Sequence, residues 1–163
     1  MDTHAPSSIQ LDDYLPFLVN RIGPPVEAGF AGPLGKAGIT LPMWRVMAVI
    51  LSDGPQRLND LSGRISVPLS TASRLVSAMV ASGHLSRVRS ADDGRAIRLD
   101  LTAGGRRIAR QVAEEARRYE DRMTRSFTKK EEAELKRLLR KLYGDLAGAE
   151  ARLRELEEET SHV

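Results

Sequence analysis

The chain contains no cysteine among its 163 residues, which excludes disulfides, thiolate metal sites and thiol redox sensing. Its three histidines, His4, His84 and His162, lie too far apart for metal-ligand spacing, so no metal is expected. No apolar run is long enough to cross a bilayer and no secretory core follows Met1, so the expected location is cytoplasmic, away from membranes. Catalytic motifs are missing too. Gly35-Lys36 is followed by Ala37, and Phe30 stands where a phosphate loop needs its first glycine. The serines have no nucleophile motif around them, and Asp92-Asp93 reads as turn chemistry rather than an acid/base pair. Neither an enzyme nor a cofactor is expected. Aromatics are only 4%, while Leu, Ala, Arg and Glu dominate, which points to a mainly α fold with a small β-hairpin.

What the sequence has is a local excess of positive charge. Residues 64 to 110 hold nine arginines against three aspartates, so this stretch carries +6 and the remainder −3, a split that the overall +3 conceals. Clustering of this kind is the electrostatic footprint of nucleic-acid binding.

Within that stretch, PLSTASRLVSAMVASG repeats Leu69, Ala72, Leu75, Val76, Met79 and Val80 at helical spacing. Ser70, Ser73, Arg74 and Ser77 share the opposite face, with Thr71 beside them: small hydroxyls and one guanidinium that can enter a groove without bulk. Pro68 marks the start and Gly83 the end. The preceding LNDLSGRI offers Leu58, Leu61 and Ile65 as the buried side of a shorter helix, three or four residues away, the spacing of a helix-turn-helix. Taken alone, the pair also fits an ordinary helical hairpin in a core.

After Gly83, Ile97, Leu99 and Leu101 alternate with Arg98 and Asp100, the period of a half-buried strand. Asp92, Asp93 and Gly94 turn the chain back on an earlier strand around Leu85 to Arg89, closing a hairpin with Arg95 near its tip. Such a tip fits a minor groove, with Arg87, Arg89 and Arg98 on phosphates and Asp93 orienting Arg95. A solvated basic hairpin without a partner is the plainer alternative.

Thr102 can cap a helix to about Arg125, striped by Ile108, Val112, Ala116, Tyr119 and Met123. Thr128 with Glu131 forms a capping box for a last helix. There Leu135, Leu139, Leu142, Leu146, Ala149, Leu153 and Leu156 step by four and three, a 3.5-residue period that wants a partner helix, and a second copy of the chain is favoured. Near the start, Leu11, Leu15, Leu18 and Ile22 fit a helix that Pro24-Pro25 should break or kink, followed by a Gly/Pro-rich stretch read as irregular. Another helix begins near Thr40 and stops at Asp53-Gly54-Pro55.

STASRLVSAMVASGHLSRVRSADDGRAIRLDLTAGGRR resembles the recognition helix and wing of the MarR family of bacterial transcription regulators, with an Asp-x-Arg wing tip at Asp93 and Arg95 and a Leu-Thr-x-x-Gly entry at Leu101 to Gly105. LPMWRVMAVI and YLPFLVNR resemble family helices as well, and the likeness spans about Tyr14 to Leu146. The resemblance implies a homodimer built from interleaved N- and C-terminal helices. It also implies a winged helix-turn-helix on double-stranded DNA, and repression relieved by a small aromatic or anionic effector. Residues 1–39 would then contribute to dimerisation, 40–105 read DNA and 106–163 complete the dimer, within one structural domain. Tyr14, Phe17, Phe30, Met43, Trp44 and Met47 are candidates for the effector cavity, with Arg21 or His84 facing an anionic group. Three features depart from the family pattern: Val80 replaces a common acidic residue, His84 a common apolar one, and Pro24-Pro25 interrupts a commonly continuous helix. A helical protein-interaction scaffold, using the coiled seam without recognising an operator, is the competing reading.

Overall fold

The computed structural model describes residues 10–89 and 97–160, with side chains described as far as residue 149. Six helices and one hairpin follow in the order α1 (Leu15–Lys36), α2 (Leu41–Asp53), α3 (Leu58–Arg64), α4 (Leu69–Ala81), β1 (Leu85–Arg89), β2 (Ile97–Leu101), α5 (Ala103–Met123) and α6 (Lys129–Thr160). The chain divides into two compact units, 1–119 and 120–163.

The first unit is built on one core. Met47, Ile50, Leu61, Met79, Leu85, Val46 and Val112 are fully buried there, so α2, α3, α4, β1 and α5 all contribute to a single apolar centre. Turn chemistry sets the element ends. Gly38 and Gly83 take φ of 67° and 74° just past α1 and α4. In each case the following amide reaches back five residues, Ile39 to the Leu34 carbonyl at 3.1 Å and His84 to that of Met79 at 2.9 Å. Both are Schellman closures that satisfy the last carbonyls. Thr40 caps α2 through the Met43 amide at 3.4 Å, and Thr102 caps α5 through the Gly105 amide at 2.9 Å.

The expected break at Pro24-Pro25 does not occur. Helix α1 runs through Pro24, Pro25 and Pro33, and the stretch read as irregular forms its last turns. Each proline removes the donor for the carbonyl four residues back, on Asn20, Arg21 and Gly29, all of them exposed residues whose carbonyls solvent can serve. Burial of Phe30 and Leu34 holds the helix where propensity would not. Three apolar residues placed on buried faces by their spacing are exposed instead: Leu69 at 47%, Ile97 at 61% and Met123 at 47%. Leu69 and Ile97 each stand at the first position of their element, where the periodic face has already left the core. The inward stripe of α5 runs through Gly105, Ala109 and Val112.

The second unit is the end of α5 and all of α6. The capping box forms as expected: the Thr128 amide donates to Glu131 Oε2 at 2.8 Å and the Glu131 amide to Thr128 Oγ1 at 3.3 Å. Lys136 bridges Glu120 and Glu132, both at 2.6 Å. Leu135, Leu138, Leu139 and Leu146 are exposed and Leu142 is half-buried, so the expected seam lies open within the chain. Leu153 and Leu156 fall on α6 beyond the described side chains.

Candidate nucleic-acid interface

Helix α3 leads into α4 through residues 65–68, and the turn is made by Ser66, whose φ of 56° is the one left-handed non-glycine conformation among the described residues. Its amide donates to the Gly63 carbonyl and that of Val67 to Ser62, both at 3.2 Å, which closes α3 as a glycine would. The same end of α3 is tied down by Arg64, whose Nη2 lies 2.6 Å from Asp53 Oδ2 at the end of α2. Hydrogen bonds from the Ser52 hydroxyl and the Arg64 guanidinium hold the Asp53 carboxyl below the ordinary carboxylate range.

Helix α4 buries Ala72, Val76 and Met79 against that support. Ser70, Thr71, Arg74 and Ser77 are exposed and Ser73 is half-buried, so the hydroxyl-and-arginine face expected from spacing is the outward face. No side chain caps the helix start at Pro68.

The hairpin follows with the register Leu85 to Leu101, Arg87 to Leu99 and Arg89 to Ile97. Alternation therefore puts Arg87 and Arg89 on one face, both exposed, and Arg98 on the other beside Val88. Arg98 is half-buried and reaches the Pro55 carbonyl at 3.5 Å, so the three arginines expected together on phosphates are divided between two faces. Asp93 and Arg95, the expected wing tip, lie outside the described residues.

Three contacts that spacing does not reveal fix the hairpin. Gln56 exchanges both backbone hydrogen bonds with Leu99, at 3.0 and 2.8 Å, and so adds a one-residue third strand. Asp100 Oδ1 accepts from Arg106 of α5 at 2.8 Å and from the Leu101 amide at 2.7 Å. The Thr102 hydroxyl donates to the Gly83 carbonyl at 2.7 Å. A single bridge residue has no period, and an ion pair six residues apart across a strand-to-helix junction has no pattern; only the cap role of Thr102 was readable beforehand.

Charge pairing differs sharply across the chain. Arg45, Arg64, Arg106, Arg117, Arg118 and Arg137 each meet a carboxylate within 4 Å. Among the described residues Arg74, Arg87 and Arg89 meet none, as do Arg107, Arg110, Arg125 and Arg140, and all seven are exposed; Arg74, Arg87 and Arg89 are the ones on the outward faces of α4 and β1. Cations left uncompensated on a groove-sized helix and its neighbouring strand are suited to phosphates and base edges.

The candidate effector residues divide into groups. Phe30 and Trp44 pack at 6.1 Å between ring centroids and Tyr119 joins Phe30 at 5.9 Å, with Met43 half-buried nearby in the same packing. Met47 is wholly buried in the core. Tyr14 and Arg21 are exposed, Arg21 lying 3.6 Å from Asp12, while Phe17 is half-buried. His84 stands elsewhere, at the α4-to-β1 junction, with its Nδ1 2.7 Å from the Ser82 hydroxyl.

A helix-turn-helix followed by an antiparallel wing with its stem braced on the next helix defines a winged helix-turn-helix protein. The profile of the MarR family matches residues 37–96. The HTH-type transcriptional repressor Rv2887 of Mycobacterium tuberculosis is 25% identical over 134 residues, covering 82% of this chain and 96% of its own length. The solved structure of a MarR-family transcriptional regulator from Silicibacter pomeroyi matches with a TM-score of 0.72 at 26% identity, over 84% of this chain and 92% of that one. A mutant MarR from E. coli complexed with operator DNA shares the fold, with a TM-score of 0.69 at 24% identity over 78% and 92% of the two chains. The profile, the repressor relatives and the solved structures together support a MarR-family winged-helix regulator.

Proposed function

We propose that the protein is a dimeric transcriptional repressor that reads a pseudo-palindromic operator in the cytoplasm and lets it go when a small aromatic or anionic effector binds. The observation that carries the reading is the exposed set Arg74, Arg87 and Arg89 on the outward faces of α4 and β1, none of which meets a carboxylate among the described residues. Helix α4 enters the major groove, where Ser70, Thr71, Ser73, Arg74 and Ser77 meet base edges and phosphates. Arg87 and Arg89 hold the backbone, and Arg95, oriented by Asp93, reaches the minor groove. The repressor Rv2887 and the operator-bound E. coli MarR support this assignment by name and by fold.

Two copies join through the N-terminal helix and the open α6 seam of Leu135, Leu139, Leu142, Leu146, Leu153 and Leu156. Their α4 helices then fall about one helical turn of DNA apart, which demands inverted half-sites. The effector is received near Phe30, Met43, Trp44 and Tyr119; Tyr14, Phe17 and Arg21 lie toward the other end of α1, about 14–24 Å from Phe30 along its axis. It drives release only by binding the DNA-incompetent arrangement more tightly than the competent one.

The test is selection of duplexes from a randomised pool by the full chain, followed by fluorescence anisotropy on the recovered and a scrambled duplex across a salt series. A specificity ratio of at least about 10³ with a steep salt slope is expected. Equal, weak binding to both duplexes overturns the operator reading in favour of a protein-interaction scaffold.

A further inference from the structure

Leu69 occupies the first position of α4 and is 47% exposed, although spacing assigns it to the buried side of that helix. The residues that follow it in the chain are polar. Ser70 and Thr71 are exposed beside it, and half-buried Ser73 lies one turn along, where the apolar stripe borders the outward face. A leucine here gains little from folding. It caps nothing, since the α4 start has no side-chain cap, and half of its surface stays in water. It does sit where a recognition helix penetrates deepest, because the N-terminal residues of such a helix are the ones that meet base edges.

We propose that Leu69 is a specificity-determining residue that packs on the C5-methyl group of a thymine in each half-site. This inference rests on the operator reading of α4. Thymine is the one base that places a methyl group in the major groove, directly beside the O4 acceptor. An apolar side chain flanked by hydroxyls matches that pair: Leu69 covers the methyl, and Ser73, on the same flank, donates to O4. The alternatives fit worse. Cytosine presents an amino donor in place of O4, guanine presents only acceptors, and neither rewards an exposed isobutyl group. Arg74 is left for guanine or phosphate, so the two residues divide the half-site between a charged and an apolar reading.

Replacing thymine by uracil removes the methyl group and nothing else, which isolates the contact. In a duplex recovered by the wild-type chain from a randomised pool, each thymine is changed singly to uracil and the affinity measured. One symmetry-related thymine per half-site is expected to lose about fourfold on this change, the worth of one methyl group removed from water. Leu69→Ala should bind the thymine and uracil duplexes alike. Arg74→Ala should bind both more weakly and keep the ratio between them. Leu69 is half exposed, so its replacement should leave the thermal transition in place, and the wild-type uracil scan stands without any variant. If no uracil substitution weakens the wild type, or if Leu69→Ala retains the full penalty, Leu69 does not read thymine even though the operator reading holds. A chain that enriches no duplex at all overturns the operator reading itself and this proposal with it.

Discussion

The ring of Tyr119 lies against α1 at Gly29, so close that a side chain at position 29 would overlap its hydroxyl and ring carbons. The hydroxyl donates to the Pro25 carbonyl at 3.4 Å, and the ring packs at a tilt against Phe30, 5.9 Å between centroids. A glycine one turn past a proline pair therefore serves as the seat of an aromatic knob from α5. Gly29→Ala should cost about 1–3 kcal/mol by overpacking, seen as a lowered Tm. In Gly29→Ala/Tyr119→Ala much of that cost should be absent, because the two residues share one contact. Additive losses would show that Gly29 is needed for some other reason.

Gly104 and Gly105 stand side by side at the start of α5 and should respond in opposite directions. A methyl group at Gly105 would run into the His84 carbonyl, a backbone atom that cannot step aside without disturbing the α4-to-β1 junction. At Gly104 the nearest atom is Thr102 Oγ1 at 3.8 Å, an ordinary contact. Gly104→Ala is expected to stabilise by up to about 1 kcal/mol through helix propensity. Gly105→Ala should destabilise by more than that and lower the Tm of the first unit. Denaturant midpoints of the two variants, measured side by side, check the pair; matching shifts would mean that the His84 carbonyl moves freely.

Much of this was readable in the residues before any coordinates. The helix-turn-helix, the hairpin stem, the Thr102 cap and the Thr128–Glu131 box each rest on short-range chemistry that a few neighbouring residues decide. The continuity of α1 was not readable, because proline cost is local whereas the burial of Phe30 and Leu34 that offsets it is tertiary. The exposure of Leu69 was hidden for a related reason: a period gives the face of a helix, not where the core ends along it. Composition alone groups Arg98 with Arg87 and Arg89, since all three are arginines in one hairpin, and only register shows that Arg98 faces the opposite way.

Acid should loosen the second unit from its capping box. The Thr128 amide, then the Thr128 hydroxyl, bonded to Glu131 holds that carboxyl below the ordinary range. Glu132 and Glu134 are lowered as well, by Lys136 with Lys129 and by Arg137 respectively. A carboxyl depressed in the folded chain binds its proton more readily when unfolded, so its contribution is present above the unfolded value and is lost as pH falls through the folded one. Helicity by circular dichroism should therefore decline on acidification below about pH 4. In Glu131→Gln the acid-induced loss should be smaller and the starting stability lower. Identical acid profiles for the two chains would remove Glu131 from the account.

Salt dependence separates the hairpin arginines. Arg87 and Arg89 are exposed on one face, whereas Arg98 is half-buried against the Pro55 carbonyl on the other. If the first two neutralise phosphates, Arg87→Ala and Arg89→Ala should each lower the slope of log K against log salt by about 2, one phosphate from each protomer, and weaken all sequences evenly. Arg98→Ala should leave the slope unchanged and act through the fold, lowering Tm as the strand loses its tie to residue 55. A slope change for Arg98→Ala equal to that of Arg89→Ala would return it to the phosphate set.

The α6 seam gives the most direct check of assembly. Leu135, Leu139 and Leu146 are 39%, 49% and 58% exposed, with Leu142 half-buried among them. Leaving such a row in water forfeits the burial that a 3.5-residue repeat is suited to provide, so a second α6 is the expected cover. A carboxylate at the centre of that row would be desolvated without a partner in the dimer but solvated in the monomer. Leu142→Glu should therefore halve the mass measured by light scattering while retaining helicity, and DNA affinity should fall because one α4 no longer brings the other to the second half-site. Arg140→Glu, on the opposite face of the same helix, should leave the mass unchanged. A Leu142→Glu chain of parental mass would place the contact between copies somewhere other than this seam.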